Sequence, residues 1–465
     1  MSETTEKQTD SALNQGNEED QQPHQRLQAF SRLMESGTLV QVRRMLNGLY
    51  PGEIAHLLES LPPEKREFVW ELVDSELQGD VLLEVNDDIR ERLIRQMETT
   101  ELLALTEGFE TDDLADFIQD LPDTVTQLVL QSMDSLDRRR LEAVLFYPED
   151  TAGGLMNTDT ITVRPDVSLD VVLRYLRRRG EIPRMTDNLF VVDRQNHYIG
   201  QVHLADLLTR EPSLQVGELV HGELKGVSAN MPATEVASLF QQRDLISAPV
   251  IDDNGELLGR ITIDDVVDVI RDEAEHSIMS MAGLSEEDDM FAPVVTSTRR
   301  RALWLGINLI TALIASLVIA QFDATIEKLV ALAVLMPVVA SMGGIAGSQT
   351  LTLVIRGMAL GQIGVSNARR LVVKELAVGM LNGILWALVI AGVATFWFDD
   401  IQLGIVIGVA IVINLITAAL AGVTIPLFLK KIGADPALGG GVVLTTITDV
   451  IGFMAFLGLA AIFLV

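Results

Sequence analysis

Two groups of carboxylates in the 465-residue chain stand where they could handle a cation. The first is a single acid, Asp449, in Thr445-Thr446-Ile447-Thr448-Asp449-Val450-Ile451-Gly452, within an otherwise apolar stretch from Ala437 to Val465. Helical rise places it roughly 18 Å from the nearer end, deep inside a ~30 Å hydrocarbon layer. A carboxylate there costs about 2.5–3.5 kcal/mol on insertion scales, so such acids line ion paths or are protonated and bonded to a neighbouring helix. The second group is Asp265, Asp268, Asp272 and Glu275, spaced three, four and three apart, which forms one carboxylate stripe on a helix expected over 264–275. Val266, Val267, Ile270 and Ala274 make its apolar face. Like charges at this spacing cost roughly 0.2–0.5 kcal/mol a pair. The helix dipole offsets that for Asp264 and Asp265 but not for Asp272 and Glu275. A divalent cation would remove the repulsion, and carboxylate oxygens are the ligands Mg²⁺ prefers. A solvated face is the alternative.

The elements that must position these groups follow from charge and periodicity. The net charge of −30 is segregated: from Ala302 onward seven acids meet seven bases, so residues 1–301 carry the whole excess. So acidic a half disfavours nucleic acid and anionic lipid as partners. No cysteine is present, which excludes disulfides and thiolate metal sites. Residues 1–25 are polar and acidic and are expected to be a disordered tail. Residues 26–145 have the periodicity of short amphipathic helices. Pro51 to Pro62 matches Thr111 to Pro122 at a spacing of sixty, each copy closing on Leu-Pro, which predicts stacked helices in a small superhelix.

Residues 146–275 alternate β and α character. Leu189–Asp193 and Tyr198–His203 recur as Ala248–Asp252 and Leu257–Thr262 at an offset of 59, aligning Gly200 with Gly259 and Asp206 with Asp265. This duplicated β-turn-β-helix unit resembles a tandem pair of cystathionine-β-synthase (CBS) domains. The resemblance implies a regulatory module that binds adenosyl nucleotides such as ATP, or metal ions, and often dimerises. Residues 276–301 form a polar connector ending in Arg299-Arg300-Arg301. Five apolar spans follow at about 302–321, 329–355, 376–398, 401–429 and 437–465, each long enough to cross a membrane. The basic loops (Arg299–Arg301, Arg356 to Lys374, Lys430-Lys431) alternate with acidic ones, which puts the N-terminal half in the cytoplasm and Val465 outside.

Within the spans, Pro337 to Thr350 carries Gly343, Gly344, Gly347 and Gln349; the third span has Asn382 beside Gly383, and the fourth has Asn414, Gly422 and Pro426. Small residues permit close helix packing or a broken helix lining a cavity, and the polar groups need partners in lipid. No Gly-rich loop ends in Lys-Ser/Thr, the six histidines lack zinc-site spacing, and no nucleophile elbow occurs. The chain is therefore not expected to be an enzyme.

The assembly as a whole, a multidomain membrane protein with an α-helical N-domain, an α/β CBS pair, a connector and a five-span domain, resembles the MgtE family of magnesium transporters. The specific matches are Asp150-Thr151-Ala152-Gly153-Gly154-Leu155-Met156; Gly343-Gly344 with Gly347 and Gln349; Asp435-Pro436-Ala437-Leu438; and Thr448-Asp449-Val450 with Gly452. The resemblance implies a homodimer in a bacterial inner membrane whose ten spans enclose an Mg²⁺-selective pore for uptake, gated by cytosolic Mg²⁺. It makes Asp449 the pore carboxylate, with Gly343, Gly344, Gln349, Asn414, Thr445 and Thr448 along the path. It makes Asp112, Asp116, Asp244, Asp265, Asp268 and Glu273 the sensor ligands. Ile345 and Ser348 stand where the family often has Asn; His276, Ser277 and Thr234 stand where it has acids. Fewer sensor carboxylates predict weaker Mg²⁺ inhibition. Carriage of Mn²⁺ or Co²⁺, or a cation sensor that does not conduct, are the competing readings.

Overall fold

A computed structural model of the chain describes residues 38–465 with Gln28, Phe30, Arg32 and Met34, except 107–108, 120, 223–224 and 286–287. The expected tail, residues 1–25, lies outside the described residues. Two compact units result: Met1–Glu273 with Glu287–Ala292, and Ala274–Glu286 with Pro293–Val465.

In the first unit, short helices run α1 (Leu39–Leu46), α2 (Pro51–Glu59), α3 (Pro63–Trp70), α4 (Ser75–Glu84), α5 (Asp87–Ile94), α6 (Thr99–Leu105), α7 (Thr111–Gln119), α8 (Asp123–Ser132) and α9 (Ser135–Leu145). The sixty-residue repeat is visible in α2 and α7, both nine residues long and starting sixty apart. Each stops before a proline that cannot continue the ladder. Leu57, Leu58, Phe117 and Ile118 turn inward from them.

Two three-stranded sheets follow: β1 (Thr162–Val163), β2 (Asn188–Val192), β3 (Tyr198–His203), then β4 (Val227–Ser228), β5 (Ser247–Ile251), β6 (Leu257–Thr262). In each, the first strand pairs parallel with the second and the second antiparallel with the third. The duplication is register-true, since Val191 faces Gly200 as Val250 faces Gly259. Helices α10 (Leu169–Arg179), α11 (Leu204–Thr209), α12 (Ala233–Arg243) and α13 (Ile263–Met281) complete the pair.

The Asp150–Met156 motif seats the helical domain on the second repeat. Ala152 and Gly153 donate backbone bonds to Met231 and Ala229 (both 2.8 Å), and Ala233 donates to the Asp150 carbonyl (2.8 Å). A Cβ on Gly153 would lie 2.3 Å from the Tyr147 ring, and one on Gly154 would lie 2.4 Å from the Pro148 carbonyl. One apolar core then runs from Leu46 through Phe117 and Val144 to Val236, Phe240 and Ile261.

The helix expected over 264–275 extends through Met281, and the segment read as a connector to Arg301 contains the start of α14 (Val294–Ala320). Its arginines give no sequence signal of a helix start. Pro293 at the N-cap supplies it. After the short α15 (Asp323–Lys328) come α16 (Ala331–Ala359), α17 (Val365–Phe398), α18 (Ile401–Lys431) and α19 (Pro436–Phe463). Five of these helices are long and apolar enough to cross a membrane. Helix α18 is the central one, packed against α16, α17 and α19. Glycines let it approach: a Cβ on Gly379 or Gly383 of α17 would meet α18 at 2.7 or 3.2 Å, and one on Gly404 of α18 would meet Thr395 at 2.2 Å.

Candidate cation-binding sites

In the first unit, the N-terminal turns of α7 and α13 bring carboxylates into one place. Asp112 is 8 % exposed. Burial, and behind it Asp265 and Asp113, hold its carboxyl well above the usual range. Burial and then Asp264 push Asp265 up to about 7, against bonds from Thr262. Burial, Glu110 and Asp264 push Asp113 up to about 6. A neutral donor is interleaved: Asn157 Nδ2 donates to Glu110 Oε2 (2.5 Å) and to Asp112 Oδ1 (3.2 Å). Asn157 is fixed because its backbone exchanges bonds with Arg260.

Farther along α13, burial and then Asp268 push Glu84 upward, with Arg271 opposing. The stripe is less repulsive than its acids alone predict. Arg271 pairs with Asp268 (3.2 Å) and Asp272 (3.3 Å), a basic residue between two acids that carboxylate spacing does not register. Its apolar face also departs from expectation: Val266 is buried, whereas Val267 and Ile270 are 54 % and 49 % exposed.

Of the expected sensor residues, Asp265 is the leading charge acting on Asp112, and Asp268 acts on Glu84. Asp116, Asp244 and Glu273 are exposed, and none is among the leading charges on Asp112 or Asp265. Asp244 caps α12 in the left-handed region at φ +50°. Sequence reasoning missed Glu110, Asp113, Glu84 and Asn157. Asp113 and Glu110 flank Asp112, but only the fold brings Asn157 and Glu84 near. Among the described residues no three His, Cys, Asp or Glu side chains converge tightly enough to cage a bare metal ion. The all-oxygen donor set nevertheless fits Mg²⁺, which keeps several of its waters and needs few direct ligands.

In the second unit, Asp449 lies thirteen residues after the start of α19 and fourteen before its end. That is about 20 Å from either end. It is partly exposed. Gln349, Ile345 and Ser348 share one outward face of α16 with Ser341, all exposed. Gly344 is half-buried, with open space where a Cβ would go. Gly343, Asn414 and Thr448, also expected on the path, are packed inside the bundle, whereas Thr445 is half-buried. Asn414 is 0 % exposed and donates Nδ2 to the Val339 carbonyl (2.8 Å). Cβ atoms on Gly343 and Gly452 would lie 2.3 and 2.7 Å from that amide, so the three residues lock α16, α18 and α19 together. Thr448 is fully buried and donates to the Thr445 carbonyl (3.0 Å), while Thr445 donates to Gly441 and Val442 (both 3.1 Å).

The Asp435-Pro436 motif starts α19. Asp435 Oδ1 accepts from Ala437 N (2.8 Å) and Oδ2 from Leu438 N (3.1 Å). His276, where an acid was expected, places Nε2 3.3 Å from Asp435 Oδ2. Behind α16, Thr350 donates to the buried Glu375 (3.3 Å), which also pairs with Lys374 (2.9 Å).

Comparison with known proteins fits this arrangement. Residues 336–459 match the MgtE divalent cation transporter model, 49–150 the MgtE intracellular N domain, and 152–212 and 216–272 the CBS domain. The chain is 30 % identical over 441 residues to the magnesium transporter MgtE of Thermus thermophilus, covering 94 % of this chain and 98 % of that one. This chain belongs to the MgtE family of magnesium transporters. The Bacillus subtilis magnesium transporter MgtE is 25 % identical over 432 residues, 93 % of this chain and 96 % of that one. Among solved structures, the cytosolic domain of the Mg²⁺ channel MgtE in complex with ATP matches with 28 % identity and a TM-score of 0.47, covering 52 % of this chain and all but 1 % of that chain. The chain is thus a multi-pass membrane protein of a transporter family, with a helical N-domain and a CBS pair ahead of its five apolar helices.

Proposed function

We propose that two copies of this MgtE-family chain enclose an Mg²⁺-selective path for uptake across a bacterial inner membrane, closed by Mg²⁺ on the cytoplasmic side. The observation that carries this reading is Asp449, an acid at the midpoint of an apolar helix, partly exposed. Hydrated Mg²⁺ sheds water reluctantly, so the carboxylate would bind it through its waters. Gly344, Gln349 and Thr445 line the path, while Gly343, Asn414 and Thr448 hold the helices that frame it. The exposed Val267 and Ile270 of α13 and the polar outward face of α16 support a second copy, because exposed apolar side chains outside the membrane and polar ones within a membrane span both favour a partner. The basic loops orient the N-terminus to the cytoplasm and Val465 to the outside.

Closure follows from the carboxylates at α7 and α13. With Mg²⁺ bound, the repulsion between Asp112, Asp113, Asp264 and Asp265 is neutralised and the helical domain is held to the CBS pair. Without it, the same charges push the two apart and release the gate. Asp116, Asp244, Asp268 and Glu273 belong to the same sensing surface at longer range. ATP or another adenine nucleotide at the CBS pair is part of the same reading.

The test is Mg²⁺ uptake by proteoliposomes. Wild type should conduct, with Asp449→Ala reducing uptake at least tenfold while Mg²⁺ still stabilises the soluble half. Equal uptake by both would sink Asp449 as the path acid; no uptake by the wild type would favour a cation sensor. Faster Mn²⁺ or Co²⁺ uptake would reassign the substrate.

A further inference from the structure

The chain between α13 and α14 is gripped by the N-terminal helical domain. Residues 288–292 pack with the first unit, although the described chain on either side belongs to the second. The grip centres on Asp289, which is 7 % exposed. Arg66 Nη1 donates to Asp289 Oδ2 (2.9 Å) and Nη2 to Oδ1 (3.1 Å), a two-pronged pair with both side chains almost wholly buried. Arg92 of α5 adds a contact to Oδ2 (3.3 Å), and the Asp289 amide donates to Asp88 (3.5 Å). Asp289 Oδ1 also accepts from the Phe291 amide (2.8 Å), which turns the segment back on itself.

The receptor is built independently of its guest. Arg66 Nε donates to the Leu58 carbonyl (2.8 Å) and Nη2 to the Leu61 carbonyl (2.9 Å). Leu58 lies in the last turn of α2, where its carbonyl also accepts from the Leu61 amide (3.2 Å), and Leu61 follows just beyond the helix end. The guanidinium is therefore held flat by its own domain, with its remaining edge presented to a carboxylate. A buried charge of either sign is strongly disfavoured alone, so each member requires the other.

We propose that residues 288–291 are a strap through which the helical domain holds the chain immediately before the first membrane helix. Only four residues lie between Asp289 and Val294, at most about 18 Å of extended chain. Movement of the helical domain is then delivered to α14 along the backbone, separately from the path through α13. The inference rests on the Mg²⁺-dependent gating proposed above.

The experiment uses the full chain in liposomes, with two readouts. Hydrogen exchange at residues 289–292 should be slow in the wild type and at least tenfold faster in Asp289→Asn, with the more distant α8 and α9 unchanged. Uptake at low internal Mg²⁺ should be unaltered, while the internal Mg²⁺ giving half-inhibition rises at least threefold. A second variant, with four Gly/Ser residues inserted between Ala292 and Pro293, leaves the clamp intact and should raise it likewise. A wild type indifferent to internal Mg²⁺ overturns the gating reading and the coupling with it. An inhibited wild type beside unchanged inhibition in both variants overturns the strap alone.

Discussion

The carboxylates shared by α7 and α13 give a prediction with a sign and a size. Burial and neighbouring charge raise Asp265 to about 7 and Asp113 to about 6, against an ordinary value of 3.8. At 1.36 kcal/mol per pKa unit, ionising them in the fold costs about 4 and about 3 kcal/mol. Because the two act on each other, the sum is an upper bound. A folded pKa above the unfolded one means the neutral acid is favoured in the fold. The stability is thus complete below about pH 4 and is lost as pH rises through about 6 to about 7. Without Mg²⁺, the full-length protein in detergent should show a soluble-half unfolding transition that falls between pH 5 and pH 8. Added Mg²⁺ should restore it at pH 8 and do little at pH 5. Asp265→Asn keeps the shape and removes the charge, so it should raise the metal-free transition at pH 8, flatten the pH profile and shrink the Mg²⁺ effect. At up to about 4 kcal/mol in a domain of this size, the rise should be several degrees. Scanning calorimetry reads all three. A metal-free transition flat from pH 5 to 8, or an Asp265→Asn protein no more stable at pH 8, would refute the reasoning.

Two further outcomes follow from the membrane helices. Gly343→Ala puts a methyl 2.3 Å from the Asn414 amide, which has no exposed surface to move into, whereas Gly344→Ala meets open space. The first should lower thermal stability in detergent by about 1–3 kcal/mol and the second should leave it unchanged. Asp435→Ala removes an N-cap that accepts two amides of α19, so it should cost about 1 kcal/mol by the same measurement, with Asp435→Asn largely retaining it.

Much of the fold was legible in the sequence. Hydropathy alone located five membrane helices, because every backbone group in lipid must be bonded within its own helix and span length is set by bilayer thickness. The two repeats and their offsets were read from identical spacings, and they reappear as α2 with α7 and as two sheets in the same register. Asp449 stood out because a lone acid in an apolar helix is expensive wherever that helix packs.

Other features depended on contacts between segments far apart in the chain. Gly343 and Asn414 look alike as polar or small residues in a span, yet the packing of α16, α18 and α19 turns them inward while Gln349 faces out. No local periodicity encodes that choice, since each span is apolar nearly all round. Nor does spacing place Asn157 between Glu110 and Asp112, forty-five and more residues away, or Asp289 on Arg66 across 223 residues. Sequence determined which residues are chemically costly and which stretches must be helices. Tertiary structure decided which costly residues meet, because burial and opposing charge are properties of the neighbours that folding assembles.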